Sequence, residues 1–118
     1  MHESGLVEAI VDSITNKAKG RPIVRAKVRI GMLLRAEEEA MQQAYSEQIL
    51  GGVLEGSRLE LDFVPGSGVC FDCGAEVAVT EPWQACPQCE SGHLHAPDGE
   101  DLILEEVEYR APRERAAG

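Results

Sequence analysis

Aromatic side chains are scarce: Phe, Tyr and Trp together make up 4% of the 118 residues. A core must therefore be assembled from Val, Leu, Ile and Ala, which the 43% hydrophobic content allows. Long apolar runs are missing as well. A membrane-spanning helix needs about 18 or more consecutive apolar residues, and no such stretch occurs. Basic charge is in deficit, with a formal net charge of -10. The one local excess, Arg25, Lys27 and Arg29, alternates along a predicted strand and reads as a solvated sheet face, not as a phosphate-binding surface. The N-terminus lacks the basic and apolar blocks of a secretory signal. Bulky His2 favours retention of Met1, and a reducing cytoplasm is the expected compartment. No nucleophile–base pair, open-site zinc motif or phosphate-binding glycine loop is visible, so no enzyme activity is expected.

The pattern that is present predicts an α+β fold. Leu6, Val7, Ile10, Val11, Ile14 and Ala18 recur at three- and four-residue steps and predict a helix capped by Ser4, running to about Ala18 and stopped by Gly20 and Pro22. Residues 23 to 30 alternate as a strand, with Val24, Ala26, Val28 and Ile30 on one face. Gly31 breaks that strand. A second helix is predicted over about 36 to 50, with Met41, Ala44, Tyr45, Gln48 and Ile49 on its buried stripe, Glu37, Glu38 and Glu39 in its first turn, and Gly51-Gly52 at its end. Residues 58 to 64 form another alternating strand. Pro65-Gly66-Ser67-Gly68 and Pro97-Asp98-Gly99 read as hinges on either side of a cysteine-bearing insert. A last strand, about 102 to 109, changes parity between Leu104 and Val107, as a bulge would produce. The prediction is a small mixed sheet of about three strands flanked by two helices, with an inserted zinc-ribbon-like four-cysteine module. Its domains would be 1–66 plus 100–110, then 67–99, with a flexible tail at 111–118.

Cysteine is confined to two pairs, Cys70-Phe-Asp-Cys73 and Cys86-Pro-Gln-Cys89. Each CxxC turn aims two thiolates at one point, and two such turns supply a tetrahedral four-sulfur set suited to zinc. Gly74 permits the tight turn of the first knuckle. Two disulfides do not suit a reducing compartment. Neither pair opens a helix in a thioredoxin-like unit, and haem attachment requires a histidine where Gly74 and Glu90 stand. An iron–sulfur cluster is the other occupant that the spacing leaves open. A four-thiolate zinc has no open coordination position, so its role is structural. His93 and His95 read as exposed loop residues, since the cysteines complete the set.

His2 and Glu3 precede the first helix. A terminal amine, an imidazole, a backbone amide and a carboxylate form a nitrogen/oxygen set that suits square-planar or tetragonal nickel(II). With these residues the chain resembles the HypA/HybF family of nickel-insertion accessory proteins. The resemblance is carried by Met1-His2-Glu3 with Leu6 and Ile10, by Val28-x-Ile30-Gly31, by Glu55-Gly56-x-x-Leu59, by both CxxC knuckles with Gly74 and Pro87, and by Leu102-x-Leu104-x-x-Val107-Glu108. It runs from residue 1 to about 109.

The resemblance implies a nickel metallochaperone for [NiFe]-hydrogenase maturation. His2 and Glu3 would hold a transient Ni(II), and Cys70, Cys73, Cys86 and Cys89 a structural Zn(II). It implies as partners a HypB-like GTPase and the hydrogenase large subunit precursor, and for some members the urease maturation proteins, with neither nucleic acid nor membrane. Departures are Met32, where the family carries Glu after Gly31, and Glu90-Ser91, where it carries Gly-Ser. Glu37 is the nearest match to a family acidic residue that approaches the nickel; as a helix-dipole carboxylate it has an ordinary role too. The competing reading is a zinc-ribbon interaction module that carries no nickel.

Overall fold

The computed structural model describes residues 2–111. Two helices and six strands follow in the order α1 (His2–Ala18), β1 (Ile23–Gly31), α2 (Glu38–Gln48), β2 (Arg58–Val64), β3 (Gly66–Cys70), β4 (Glu76–Val79), β5 (Leu94–His95) and β6 (Leu102–Tyr109). One sheet has the order β2-β1-β6 and a second the order β4-β3-β5. The three-stranded β2-β1-β6 sheet, the two helices and the cysteine module are those predicted; the second sheet, β4-β3-β5, is additional. The expected tail, beyond Ala111, lies outside the described residues.

The chain forms two compact units. Among the described residues, the first takes 2–28, Ala36–Leu61 and 104–111. In it, α1 buries Val7, Ile10, Ile14 and Ala18, the three- and four-residue spacing that lines one side of a helix. Lys19 and Gly20 then enter the left-handed region and end it. Helix α1 starts at His2, so Ser4 stands inside its first turn instead of capping it. Its carbonyl accepts a hydrogen bond from Gln48 Nε2 at 3.1 Å. That bond also corrects Gln48, which is exposed and not part of the buried stripe. Helix α2 presents Met41, Ala44 and Tyr45 to the core. Tyr45 Oη and Ser57 Oγ are 2.7 Å apart, and Ser57 Oγ donates to the Leu54 carbonyl at 2.6 Å. The phenol and the hydroxyl, both buried, therefore satisfy each other, and burial raises the Tyr45 pKa. On the sheet, Arg25 donates to Glu60, Glu106 and Glu108 at 3.0, 2.7 and 2.8 Å. The strand face read as solvated thus has one of its cations neutralised by three carboxylates, the opposite of a phosphate-binding patch.

The second unit comprises Arg29–Arg35 and Asp62–Ile103. Strand β3 is its centre. It pairs antiparallel with β4, Gly66 opposite Val79 and Val69 opposite Glu76, and with β5, Val69 opposite His95 and Cys70 opposite Leu94. Both predicted hinges are ordered elements. Gly66 and Gly68 lie within β3, and Pro97–Glu100 is a one-turn 3-10 helix. The backbone N–H of Ser67 donates to Asp98 Oδ1 at 2.8 Å, so the two segments are tied to each other. These glycines serve close packing. A β-carbon on Gly68 would come within 2.5 Å of Val79 Cγ2, and one on Gly66 within 2.8 Å of Ala96 Cβ. A second 3-10 turn, Met32–Leu34, was not foreseen; it places Leu33 against Gly99. The parity slip in β6 is present: Leu102, Leu104, Val107 and Tyr109 are the half-buried positions.

Gly31 donates its N–H to the Asp101 carbonyl at 2.8 Å, and an added β-carbon would sit 2.1 Å from the Gly99 carbonyl oxygen. Backbone cannot yield as a side-chain tip does. Gly31→Ala is expected to lower the unfolding free energy by about 2–3 kcal/mol, the upper part of the overpacking range. Gly92→Ala, with no neighbour within 4 Å, should stay within about 0.5 kcal/mol of the parent. Denaturant melts of the two variants check this pair.

Candidate metal centre

The two CxxC turns are built alike. In the first, Cys70 N–H donates to the Ala75 carbonyl at 3.0 Å and Gly74 N–H to the Cys70 carbonyl at 2.8 Å. In the second, Cys86 N–H donates to Ser91 and Glu90 N–H to Cys86, both at 2.7 Å. Each turn needs a left-handed residue one place after its second cysteine. Gly74 fills that place at φ 78° without steric cost, and Glu90 at φ 65° with it. The departure noted at Glu90 therefore falls where glycine is physically favoured.

The four sulfurs converge. All lie within 4.8 Å of one another, with Cys70 Sγ 3.6 Å from Cys89 Sγ and Cys73 Sγ 3.7 Å from Cys86 Sγ. A tetrahedral zinc with bonds of about 2.3 Å requires sulfur–sulfur edges of about 3.8 Å, whereas a disulfide requires about 2.05 Å. All four cysteines are free, and the tetrahedral spacing is the one they adopt. Cys70 and Cys86, the first of each pair, are buried; Cys73 and Cys89 are exposed. The backbone N–H groups of Cys73 and Asp72 draw the Cys70 thiol down to about 6, with burial acting against them. At Cys89 the Ser91 N–H lowers the thiol, but burial and the three neighbouring sulfurs outweigh it and push the group up to about 12. Thiolates gathered this closely repel one another, and a dication at their centre removes that penalty. The donor set fits zinc.

A polar clamp joins the two turns, and sequence reasoning missed it. Asp72, between Cys70 and Cys73, accepts hydrogen bonds from Ser91 Oγ and lies 2.8 Å from His93 Nδ1. Ser91 Oγ accepts the His93 backbone N–H at 3.0 Å. The Ser91 bond, then that of His93, holds the Asp72 carboxyl below its usual range. His93 is exposed, as expected, yet engaged. His95 stacks on Phe71 with ring centroids 5.5 Å apart. The signal for the clamp was local: a carboxylate inside one turn and a hydroxyl just after the other.

His2 and Glu3 occupy the first turn of α1, His2 exposed and Glu3 half-buried. Glu3 Oε2 accepts the backbone N–H of Glu37 at 3.2 Å. Glu37 is the cap residue of α2 and makes no capping bond with its own side chain; from another helix, Glu3 satisfies one of the orphan donors of that terminus, the N–H of the cap residue itself. Its own N–H and that of Glu37 hold the Glu3 carboxyl below the usual range. Glu37 is thus brought to Glu3 through its backbone. Among the described residues, the four cysteines are the one cluster of three or more candidate metal-binding groups.

A family model described as hydrogenase/urease nickel incorporation, metallochaperone, hypA matches residues 1–109. The chain belongs to the HypA family. Hydrogenase maturation factor HypA of Rippkaea orientalis is 34% identical over 108 residues, covering 92% of this chain and 95% of that protein. The Nostoc punctiforme factor of the same name is 36% identical over the same shares. The solution structure of the Ni metallochaperone HypA from Helicobacter pylori superposes with a TM-score of 0.66 over 94% of this chain and 99% of that one. At 20% identity it establishes a shared fold. HypA membership places the chain in a nickel-incorporation family. Among the described residues no helix is long and apolar enough to cross a membrane.

Zinc titration of the metal-free chain is expected to release protons. Cys73 and Cys89 are held above the ordinary thiol value and must give up theirs, whereas Cys70 is already ionised above about pH 6. Release should therefore increase as the pH is lowered from 8 towards 6, when Cys70 joins. Calorimetry in buffers of differing ionisation enthalpy measures it. Glu90→Gly removes a left-handed glutamate and should stabilise the module by about 1 kcal/mol; a lowered resistance to chelator would contradict that.

Proposed function

We propose that this chain binds Ni(II) through His2 and Glu3 and delivers it during maturation of [NiFe]-hydrogenase, while Cys70, Cys73, Cys86 and Cys89 hold a structural Zn(II). The observation that carries the reading is the Glu3 carboxylate, kept ionised and oriented by the Glu37 N–H beside an exposed His2. One imidazole and one carboxylate are hard-to-borderline donors that suit nickel(II), whereas four thiolates suit zinc. A site with few protein ligands and open to solvent releases its ion by ligand exchange, as a carrier requires. A four-thiolate set is closed and does not.

On this reading, residues 1–66 plus 100–110 form the nickel-binding domain and 67–99 the zinc-binding domain. The chain is a carrier, not an enzyme. Its four free thiols suit a reducing cytoplasm. The relatives are named for hydrogenase maturation and the family description includes urease. The partners we assign are a HypB-like GTPase and the hydrogenase large subunit precursor, with urease maturation proteins as a second client group.

The test is metal analysis of untagged protein after nickel loading. His2→Ala should lose nickel binding by at least the roughly 10- to 100-fold that even an outer-shell change costs, with zinc retained. Glu3→Gln keeps an oxygen for the Glu37 N–H and removes the charge, so it should weaken nickel without loosening α2. Nickel held equally well by His2→Ala, or nickel found only on the cysteines, would sink the assignment.

A further inference from the structure

The zinc module presents a sheet face that, among the described residues, leaves Val69 and Phe71 exposed. Along β3 the residues alternate: Gly66, Gly68 and Cys70 are buried, while Ser67 and Val69 face outward, followed by Phe71 just beyond the strand. Val69 lies opposite Glu76 on β4 and His95 on β5, and directly paired residues share a sheet face. Phe71, two residues further on, stacks on His95. Val69 is 42% and Phe71 69% exposed, a heavy apolar outlay for a chain with so few aromatics. Beside them, the β3–β4 hairpin carries an open trough of about 440 Å³ whose walls include Ser67, Val69, Glu76 and Ala78.

Charge identifies what this face can receive. No lysine or arginine occurs between Leu59 and Tyr109, whereas aspartate and glutamate recur throughout that span, and the only lysine or arginine residues of the second unit are Arg29 and Arg35. Four thiolates around one divalent zinc would add a further net negative charge. An acidic partner or a nucleic acid would be repelled, and a basic one attracted. An aromatic ring in such a field attracts cations to its face. The module contains an internal instance: the Arg35 guanidinium lies 4.1 Å from the centre of the Trp83 ring, the other exposed aromatic. Phe71 has His95 stacked on it.

We infer that the Val69–Phe71–Glu76–His95 face is a docking surface for a basic, extended segment of a partner protein. Apolar side chains of that segment occupy the trough beside Val69, and its lysine or arginine side chains meet Glu76 and the Phe71 ring. The surface shares no residue with the His2–Glu3 pair, so loss of nickel binding in His2→Ala would leave peptide binding unchanged.

The experiment is a nuclear magnetic resonance titration of the full, zinc-loaded chain with a synthetic alternating Arg-Val peptide, and with its Glu-Val counterpart. Saturable shifts concentrated at Val69, Phe71, Glu76, Ala78 and His95, given by the Arg-Val peptide alone, are expected. Phe71→Ala should weaken the binding by about fivefold, the scale of one lost cation–π contact, and Glu76→Lys by more, with zinc content unchanged in both. Shifts spread over all carboxylates and insensitive to Phe71→Ala would reduce the effect to general charge attraction and overturn the inference. Absence of shifts would overturn it too. Shifts at the same residues that grow with protein concentration, without peptide, would assign the face to a second copy of the chain instead.

Discussion

The cysteine module depends on four sulfur atoms being held within bonding distance of one centre. Its strands have five, four and two residues, and two of the five in β3 are glycines packed against neighbouring backbone and side chains. Between Gly66 and Asp101 the buried hydrophobic side chains are Cys70, Val79 and Cys86. Two of the three are themselves proposed metal ligands. Such a segment buries too little apolar surface to offset the entropy of ordering its backbone. The free energy of metal binding is then folding free energy. The repeated backbone bonds of the two turns and the Asp72–Ser91–His93 clamp follow from the same need. They reduce the disorder that the ion would otherwise have to overcome alone.

The N-terminal site rests on the opposite arrangement. Helices α1 and α2 are held by an ordinary apolar core, and the position of Glu3 comes from that packing. Helix α2 begins at a residue whose side chain makes no cap, and the missing acceptor arrives from Glu3. One carboxylate therefore serves the fold, and its pKa is held below the usual range; on the proposed reading it is also a nickel ligand. The same packing places Gln48 against the Ser4 carbonyl. The first turn of α1 is thus anchored at two points, and His2 projects from an anchored turn.

What could be read beforehand follows the strength of each physical signal. The burial of Val7, Ile10 and Ile14, and the convergence of the cysteines, were legible because helical periodicity and CxxC spacing are local rules. The two segments read as hinges were not. Pro65–Gly68 and Pro97–Gly99 have the composition of flexible chain, but Gly66 and Gly68 are small because Ala96 and Val79 press on them. A glycine needed for space and one needed for freedom look identical in sequence. Ser4 was misread for a related reason. A capping residue is recognised by its type, but α1 already begins at His2; at the start of α2 the cap residue's N–H is accepted by a glutamate 34 positions away, and no local rule reaches that far. Arg25 was placed on the right face, but its three carboxylate partners come from two other strands.

Divalent nickel binds thiolates as well as imidazole, so on the proposed reading a chain with both kinds of donor would need a reason to keep nickel off the sulfurs. Spacing alone does not supply one, since nickel accepts four sulfurs too. Occupancy does. Cys70 and Cys86 are buried, and their turns are closed by backbone bonds as short as 2.7 Å, so on the proposed reading a zinc held by all four sulfurs would exchange slowly, through the exposed Cys73 and Cys89. A nitrogen/oxygen pair in the first turn of α1 has no such barrier. On the proposed reading, the separation of the two metals is kinetic: the ion that arrives first and is locked in leaves only the open site for the ion that must travel. Any loosening of the sulfur cage would then act on nickel delivery as well as on the fold.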